Sequence, residues 1–145
     1  MQLFRRRRWP REDWFALGEA FVVLAMVRLA LATMNFKRIE RLVTRLVRRL
    51  APQPADGTPE DDARLGRAIR RAAVLVPGAR CLAQATAAMV VSARHNRRTR
   101  MTIGVKLGAS EEFGAHAWIE TPHGTPVGGD EAAQFAPLLS VDPYA

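Results

Sequence analysis

The amino-acid sequence predicts an α+β fold in which N-terminal helices pack on a small antiparallel sheet. Up to about residue 100, apolar residues recur at helical spacing between breaks that contain Pro and Gly. Beyond Arg100 the apolar residues alternate with a period of two, which is typical of strands. We therefore expect a helical region over residues 1–50 and a core over residues 58–145, packed as one compact domain.

Composition narrows the classes of function. A formal net charge of +8 indicates an acidic partner, a nucleic acid or an anionic membrane surface. The single cysteine excludes an internal disulfide and a Cys-rich metal site, and it fits a reducing cytosol. We accordingly expect a cytoplasmic protein, with contact to a membrane surface left open.

The first predicted helix begins after Pro10 and runs to about Met34. Pro10 suits a first turn, and Glu12 and Asp13 lie near its positive end. The run from Trp14 to Met34 is apolar except for Glu19 and Arg28, and its longest uninterrupted piece is short for a span. A buried or membrane-surface helix is favoured, and a signal sequence or a membrane span is the alternative.

The second predicted helix, Phe36 to Leu50, is amphipathic. One face is apolar and the other is basic. Two interpretations remain open: a solvated face on a packed helix, or a docking surface for an acidic peptide, a protein or a phospholipid. The apolar residues are Ile39, Leu42, Val43, Leu46, Val47 and Leu50, and the basic ones are Lys37, Arg38, Arg41, Arg45, Arg48 and Arg49.

A linker over residues 51–57 precedes two further helices. Thr58 suits an N-cap and Pro59 a first turn, which predicts a third helix to about Val76. Pro77 and Gly78 end that helix, and a fourth begins around Arg80 and Cys81. It is expected to bury Leu82, Ala85, Met89, Val90 and Ala93.

Two segments alternate as strands, Met101 to Leu107 and Phe113 to Glu120. In the second, alternation separates an apolar face from a polar one. Phe113, Ala115, Ala117 and Ile119 are expected to pack on the helices. His116, Trp118 and Glu120 are expected on the opposite face.

Cys81 is a candidate nucleophile because it is predicted at a helix start. The free N–H groups and partial positive charge of a helix N-terminus favour the thiolate, which is the reactive form. The same N–H groups could hold an oxyanion. A free cysteine is also often a small buried hydrophobe, and that interpretation stays open for Cys81 considered alone.

His116 on the later strand is the candidate general base, and such a histidine usually needs an orienting group. Glu120 lies too far along the strand. A three-residue loop over residues 122–124 would pair Thr121 with Thr125, and this register places Asp130 opposite His116. A slip of one residue would place Glu131 there instead.

The other two histidines are not expected to take part. His95 lies among arginines and is interpreted as solvated, and His123 as a turn residue. Their spacing does not suit zinc, and we expect neither a metal nor another cofactor.

Four short segments together resemble one known family: Cys81-Leu-Ala-Gln-Ala, Ile103-Gly-Val105, Ala115-His-Ala-Trp-Ile-Glu120 and Gly129-Asp130. They are similar to the protease-only form of the lasso-peptide biosynthesis B protein, a transglutaminase-like cysteine peptidase. The resemblance implies a transglutaminase- or papain-like core, with Cys81 as nucleophile, His116 as general base and Asp130 as orienting acid.

The resemblance also implies a function and partners. The protein would remove the leader from a lasso precursor peptide. A separate partner protein would recognise the leader, and a separate ATP-dependent synthetase would cyclise the freed core peptide.

Two alternatives remain. The same Cys–His–Asp site could transfer the acyl group to an amine, as transglutaminases and acyltransferases do. A non-catalytic basic module could bind nucleic acid or membrane, although the sequence shows no nucleic-acid motif or aromatic platform. Nucleic acid is therefore not an expected partner.

Overall fold

The computed structural model describes residues 9–106 and 114–145, and within them it has an α+β architecture. The predicted strand ends Leu107 and Phe113 lie outside the described residues. The helices are α1 (Arg11–Thr33), α2 (Phe36–Leu50), α3 (Pro59–Leu75), α4 (Cys81–Arg94) and α5 (Gly129–Ala132). The strands are β1 (Arg100–Lys106), β2 (Ala115–Thr121), β3 (Gly124–Val127) and β4 (Phe135–Val141).

The helix bounds follow the capping residues in the sequence. Asn35 caps α2, because its side chain accepts a hydrogen bond of 2.9 Å from the Arg38 N–H. Thr58 and Asp61 form a reciprocal capping box at the start of α3. Pro10 is the N-cap of α1 and not a first-turn residue. The predicted bounds of the first four helices are otherwise confirmed within about one residue.

Helix α4 is the centre of the hydrophobic core. It packs on α1, α2, α3 and the sheet, so it is buried on every side and not only on the predicted face. Its buried residues include five alanines, whose small side chains let the neighbouring elements approach closely. The buried residues of α4 are Ala83, Ala85, Thr86, Ala87, Ala88, Met89, Val90, Val91, Ser92 and Ala93.

Helix α1 is buried on one side only, through Ala20, Leu24 and Val27. By length and composition it could cross a membrane, which is also true of some core helices and signal sequences. Helix α2 is also buried in part. Ile39 and Val47 are buried, whereas Leu42, Leu46 and Leu50 of the predicted apolar face are exposed.

The sheet is antiparallel with strand order β3-β2-β1-β4. Ala117 and Ile119 of β2 join the core beneath α4, as predicted. Ala115 does not, because it is exposed at the end of the strand. His116 and Trp118 lie on the other face and stack with ring centroids 6.0 Å apart.

The hairpin between β2 and β3 differs from the predicted one. Thr121 pairs with Gly124, so the loop has two residues and the predicted pairing of Thr121 with Thr125 is wrong. The register then shifts before Ile119 pairs with Val127. Because β3 ends at Val127, Asp130 lies in α5 and not on a strand opposite His116.

Glu120 links β1 to β2 on the polar face. Its carboxylate accepts hydrogen bonds from the Arg100 guanidinium, from Thr102 Oγ1 at 3.2 Å and from Trp118 Nε1 at 3.0 Å. Burial opposes ionisation, but these donors outweigh it and hold the pKa of Glu120 below its ordinary value. The charged form of Glu120 therefore stabilises the folded state.

Replacing Glu120 with Gln should lower the free energy of unfolding by about 1 kcal/mol at neutral pH, because hydrogen bonds to a half-buried carboxylate are lost. The pKa is depressed in the folded state, so the contribution is present above the unfolded-state pKa and disappears as the pH falls through the folded-state pKa. Urea unfolding at pH 7 and pH 3 measures the difference. An equal deficit at both pH values would contradict this role.

Candidate functional site

A cavity of about 440 Å³ lies between the start of α4, the strand β2 and the segment that follows β3. Cys81 from α4 and His116 from β2 both line it, as do Asp130 and Glu131 from α5. The structure thus brings the predicted site residues to one cavity, although they come from separate elements. Packing of α4 on β2 sets the distance between its walls.

Cys81 is the first residue of α4 and is half-buried. The N-cap Arg80 provides no side-chain cap, so the first-turn amides of α4 are left without that partner. These amides and the helix dipole favour negative charge where the thiol lies. The structure therefore places Cys81 at the helix start where the sequence predicted it.

His116 is held by a backbone carbonyl. Its Nε2 lies 2.8 Å from the carbonyl oxygen of Gly128, and the residue is only 8% exposed. A carbonyl oxygen can only accept, so Nε2 donates, and in the neutral ring Nδ1 carries the lone pair. The ring also stacks on Phe135, with centroids 5.1 Å apart. His116 is thus oriented with one nitrogen available as a base.

Gly128 can accept this hydrogen bond because it has no side chain. Its φ of +77° is left-handed, and a Cβ there would lie 2.8 Å from the Ala117 carbonyl oxygen and 3.2 Å from His116 Nε2. The sequence analysis assigned no role to Gly128. The only signal in the sequence was the Gly-Gly pair that precedes Asp130.

The two acids of α5 lie near His116 without orienting it. Glu131 Oε2 is 4.0 Å from His116 Nδ1, and its side chain is 66% exposed. Asp130 is exposed, and among the described residues it makes no hydrogen bond or ion pair with the ring. The orienting contact seen in the structure is therefore the Gly128 carbonyl.

The thiol and the imidazole face one cavity but are not in hydrogen-bond contact. Within residues 9–106 and 114–145, no hydrogen bond joins Cys81 Sγ to His116. Catalytic hydrogen bonds are often long in unliganded enzymes and shorten when substrate binds. The arrangement can accordingly support nucleophilic attack once a substrate occupies the cavity.

Gln84 and Arg70 also line the cavity, and the sequence analysis identified neither as a site residue. Gln84 lies three residues after Cys81, a spacing that puts both on one side of α4. Its Nε2 donates to the Ala79 carbonyl at 3.0 Å. Arg70 of α3 forms another part of the wall.

The cavity continues into a neighbouring groove of about 370 Å³ between α3 and β3. The two share Arg70, Thr125 and Pro126. Helix α3 approaches β3 closely here. A Cβ at position 66 would lie 2.6 Å from the Pro126 carbonyl oxygen, so the approach requires a glycine there. The cavity and the groove therefore adjoin along α3 and β3.

The remaining histidines have structural partners. His95 is exposed, as predicted, and its Nε2 lies 2.8 Å from Glu19 Oε1 of α1. The long-range pairing with α1 could not be inferred from local sequence. His123 is in the hairpin turn, as predicted, and its Nε2 donates to the Gly57 carbonyl at 3.0 Å.

Comparison with known proteins gives one match. The family model described as the transglutaminase-like superfamily matches residues 22–140, from within α1 to the end of β4, including Cys81, His116 and Asp130. No curated protein and no solved structure matches the chain. The family-model match covers most of the chain, and the superfamily generally comprises cysteine proteases and acyltransferases. The chain therefore belongs to the transglutaminase-like superfamily.

Proposed function

We propose that this protein is a cysteine peptidase that removes the leader from a lasso precursor peptide. The observation that carries the proposal is the shared cavity, in which Cys81 starts α4 and His116 is oriented by the Gly128 carbonyl. Membership of the superfamily supports thiol chemistry at this site. The lasso assignment rests on the similarity of the four motifs around Cys81, Gly104, His116 and Asp130.

In the proposed reaction, the Cys81 thiol gives its proton to Nδ1 of His116, and the thiolate attacks the carbonyl carbon that ends the leader. The first-turn amides of α4 stabilise the resulting oxyanion. Collapse of the intermediate breaks the C–N bond, and the leaving amine takes the proton from the imidazolium. Water then hydrolyses the thioester, which releases the leader acid and the free thiol.

Asp130 and Glu131 complete the proposed site through their charge. Gly128 already accepts the Nε2 proton, so Asp130 need not hydrogen-bond to the ring to keep it in place. Negative charge at the cavity wall favours the imidazolium that forms when Cys81 loses its proton. This proposal retains Asp130 as the acidic member of the site and adds Glu131, whose carboxylate faces Nδ1.

The cavity and the adjoining groove beside β3 support a peptide substrate. We propose a separate leader-recognition protein and the ATP-dependent lasso cyclase as partners, because the motif similarity implies both. The amine released by cleavage is the nucleophile that such a cyclase needs. A cytoplasmic location, with the thiol kept reduced, is part of the same proposal.

Acyl transfer to an amine is the second candidate function. The superfamily includes enzymes of this type, and the cavity is open on the side of the groove. Incubating precursor peptide with a primary amine and analysing products by mass spectrometry distinguishes the two. An amide adduct on the leader would indicate transfer, whereas a free carboxylate would indicate peptidase activity.

Replacing Cys81 with Ala should abolish cleavage of a lasso precursor peptide, because the chain has no other thiol. His116→Gln should slow it by roughly 10²–10⁴-fold, the usual contribution of a general base. Mass spectrometry of the peptide measures both, with circular dichroism as the control for folding. A folded Cys81→Ala variant that cuts at the normal rate would exclude the proposal.

Alkylation by iodoacetamide tests the Cys–His pair without a substrate. The intact protein should gain one adduct at Cys81, and His116→Gln should slow the reaction at neutral pH by on the order of tenfold, because the base is lost. His123→Gln is the matched control, since that ring bonds to Gly57 and does not line the cavity. Equal alkylation rates in all three proteins would show that His116 does not activate the Cys81 thiol.

Replacing Gly128 with Ala should displace His116 and lower kcat by at least roughly tenfold, because an added Cβ collides with the ring and with the Ala117 carbonyl. Gly124→Ala is the matched control. Gly124 also has a positive φ, of 148°, but nothing lies within 4 Å of a Cβ there. Similar loss of kcat in both variants would mean that backbone strain alone is responsible.

Replacing Asp130 with Asn, or Glu131 with Gln, should slow cleavage only modestly, by roughly fivefold or less, because an exposed charge acts through solvent. The double variant should be slower than either. Single-turnover rates measure these effects. A 100-fold loss for Asp130→Asn alone would show that Asp130 bonds directly to His116 during the reaction and would contradict the role of Gly128.

A further inference from the structure

Helix α1 carries an exposed apolar stripe. Four large apolar residues, spaced seven, four and three positions apart, lie on one side of the helix. They span about 21 Å along the axis at 1.5 Å per residue. Their exposed fractions are Phe15 78%, Val22 55%, Met26 67% and Leu29 67%.

The two charged residues inside α1 contact other parts of the fold, although Glu19 borders the stripe four residues after Phe15. Glu19 bonds to Arg94 at 2.9 Å and to His95 at 2.8 Å, so it faces α4. Arg28 is half-buried beside the loop that precedes α4, where a Cβ on Gly78 would lie 2.7 Å from its Nε. The exposed side of α1 from Val22 to Leu29 therefore carries no charged residue, and the charge of Glu19 at its edge is paired.

Helix α2, which follows directly, presents apolar and cationic side chains together. Leu42, Leu46 and Leu50 are exposed, and Arg38, Arg45 and Arg49 border them at helical spacing. No basic residue of α2 forms an ion pair with a carboxylate in the part of the chain that the structure describes. A shallow groove of about 490 Å³ runs along α2, lined by Lys37, Glu40, Arg41, Thr44, Arg45 and Arg48.

We propose that α1 and α2 form a peripheral binding surface for an anionic lipid bilayer. The stripe of α1 and the leucines of α2 enter the apolar boundary of the bilayer, and the arginines and lysine of α2 bind lipid phosphates. In an anionic bilayer the acyl chains adjoin the phosphates, and exposed leucines bordered by arginines can contact both at once. The Arg5–Arg8 run in the sequence adds charge of the same sign before α1.

A spanning position for α1 does not fit the fold. Its opposite side is packed in the core through Ala20, Leu24 and Val27, and Glu19 ties it to α4. Crossing a bilayer would break both sets of contacts and leave α4 uncovered. The helix therefore lies along the membrane surface while the protein remains folded. This proposal does not depend on the proposed peptidase activity.

Co-sedimentation with vesicles of phosphatidylglycerol and of phosphatidylcholine tests the surface. The wild-type protein should bind the anionic vesicles far more tightly than the neutral ones, with an affinity that falls as salt is added. The double change Met26→Glu and Leu29→Glu should lower partitioning by roughly 100-fold, since each apolar insertion lost is worth roughly tenfold.

Two further variants serve as controls. Leu138→Glu changes an exposed leucine of β4 and should leave binding unchanged. Changing Arg38, Arg41 and Arg45 to Gln should weaken binding to phosphatidylglycerol and leave binding to phosphatidylcholine unaffected. Circular dichroism checks the fold of every variant.

Two outcomes would overturn the proposal. In the first, the Met26→Glu, Leu29→Glu variant binds vesicles as tightly as the wild type and the Leu138→Glu control do. That result would show that α1 is not the membrane surface. In the second, the wild-type protein does not bind vesicles but forms dimers in analytical ultracentrifugation, and the same double change dissociates the dimers. That result would assign the stripe to contact with a second copy of this chain.

Discussion

Close packing around α4 sets the geometry of the whole protein. Five buried alanines in this helix leave room for three helices and the sheet to approach it: Ala83, Ala85, Ala87, Ala88 and Ala93. Larger side chains there would separate these layers. Because Cys81 is the first residue of α4, the packing that forms the core also determines where the thiol meets the sheet. Stability and the site therefore share one set of contacts.

The opposite wall of the site is built from backbone. His116 is held through the carbonyl of Gly128, whose left-handed conformation bends the chain from β3 into α5. A peptide carbonyl cannot titrate, so the tautomer of the ring does not depend on the ionisation of a neighbouring acid. The acids of α5 are exposed and do not hold the ring in place.

Local signals made the helices and two of the strands predictable. Thr58, Pro59 and the Pro77-Gly78 break fix helix ends through backbone hydrogen bonding, which depends on near neighbours in the sequence. Alternation around His116 likewise identified the strand and the face that carries it. Cys81 and His116 were predicted as site residues from these local features together with the resemblance, and the structure places them in one cavity.

Features that depend on tertiary packing were not predictable. The two-residue loop after Thr121 and the register shift beside it moved Asp130 into a short helix. Counting along an ideal hairpin could not show this. The partial burial of α1 and the pairing of His95 with Glu19 join residues far apart in sequence. The function of Gly128 arises from contacts with three residues of another strand, and nothing in its own neighbourhood specifies it.

The contact between Arg28 and Gly78 couples the residue types that these two distant positions can accept. The Arg28 side chain fills the space that any side chain at position 78 would need, and the left-handed φ of +74° there already favours glycine. A chain with a smaller residue at 28 regains that space, but still meets the backbone constraint at 78. Substitutions at the two positions are therefore not equivalent. The side chain at position 28 can become shorter while position 78 stays glycine, but position 78 cannot change first. The constraint therefore falls on the loop that leads into Cys81, and position 28 of the N-terminal helix remains free to shorten.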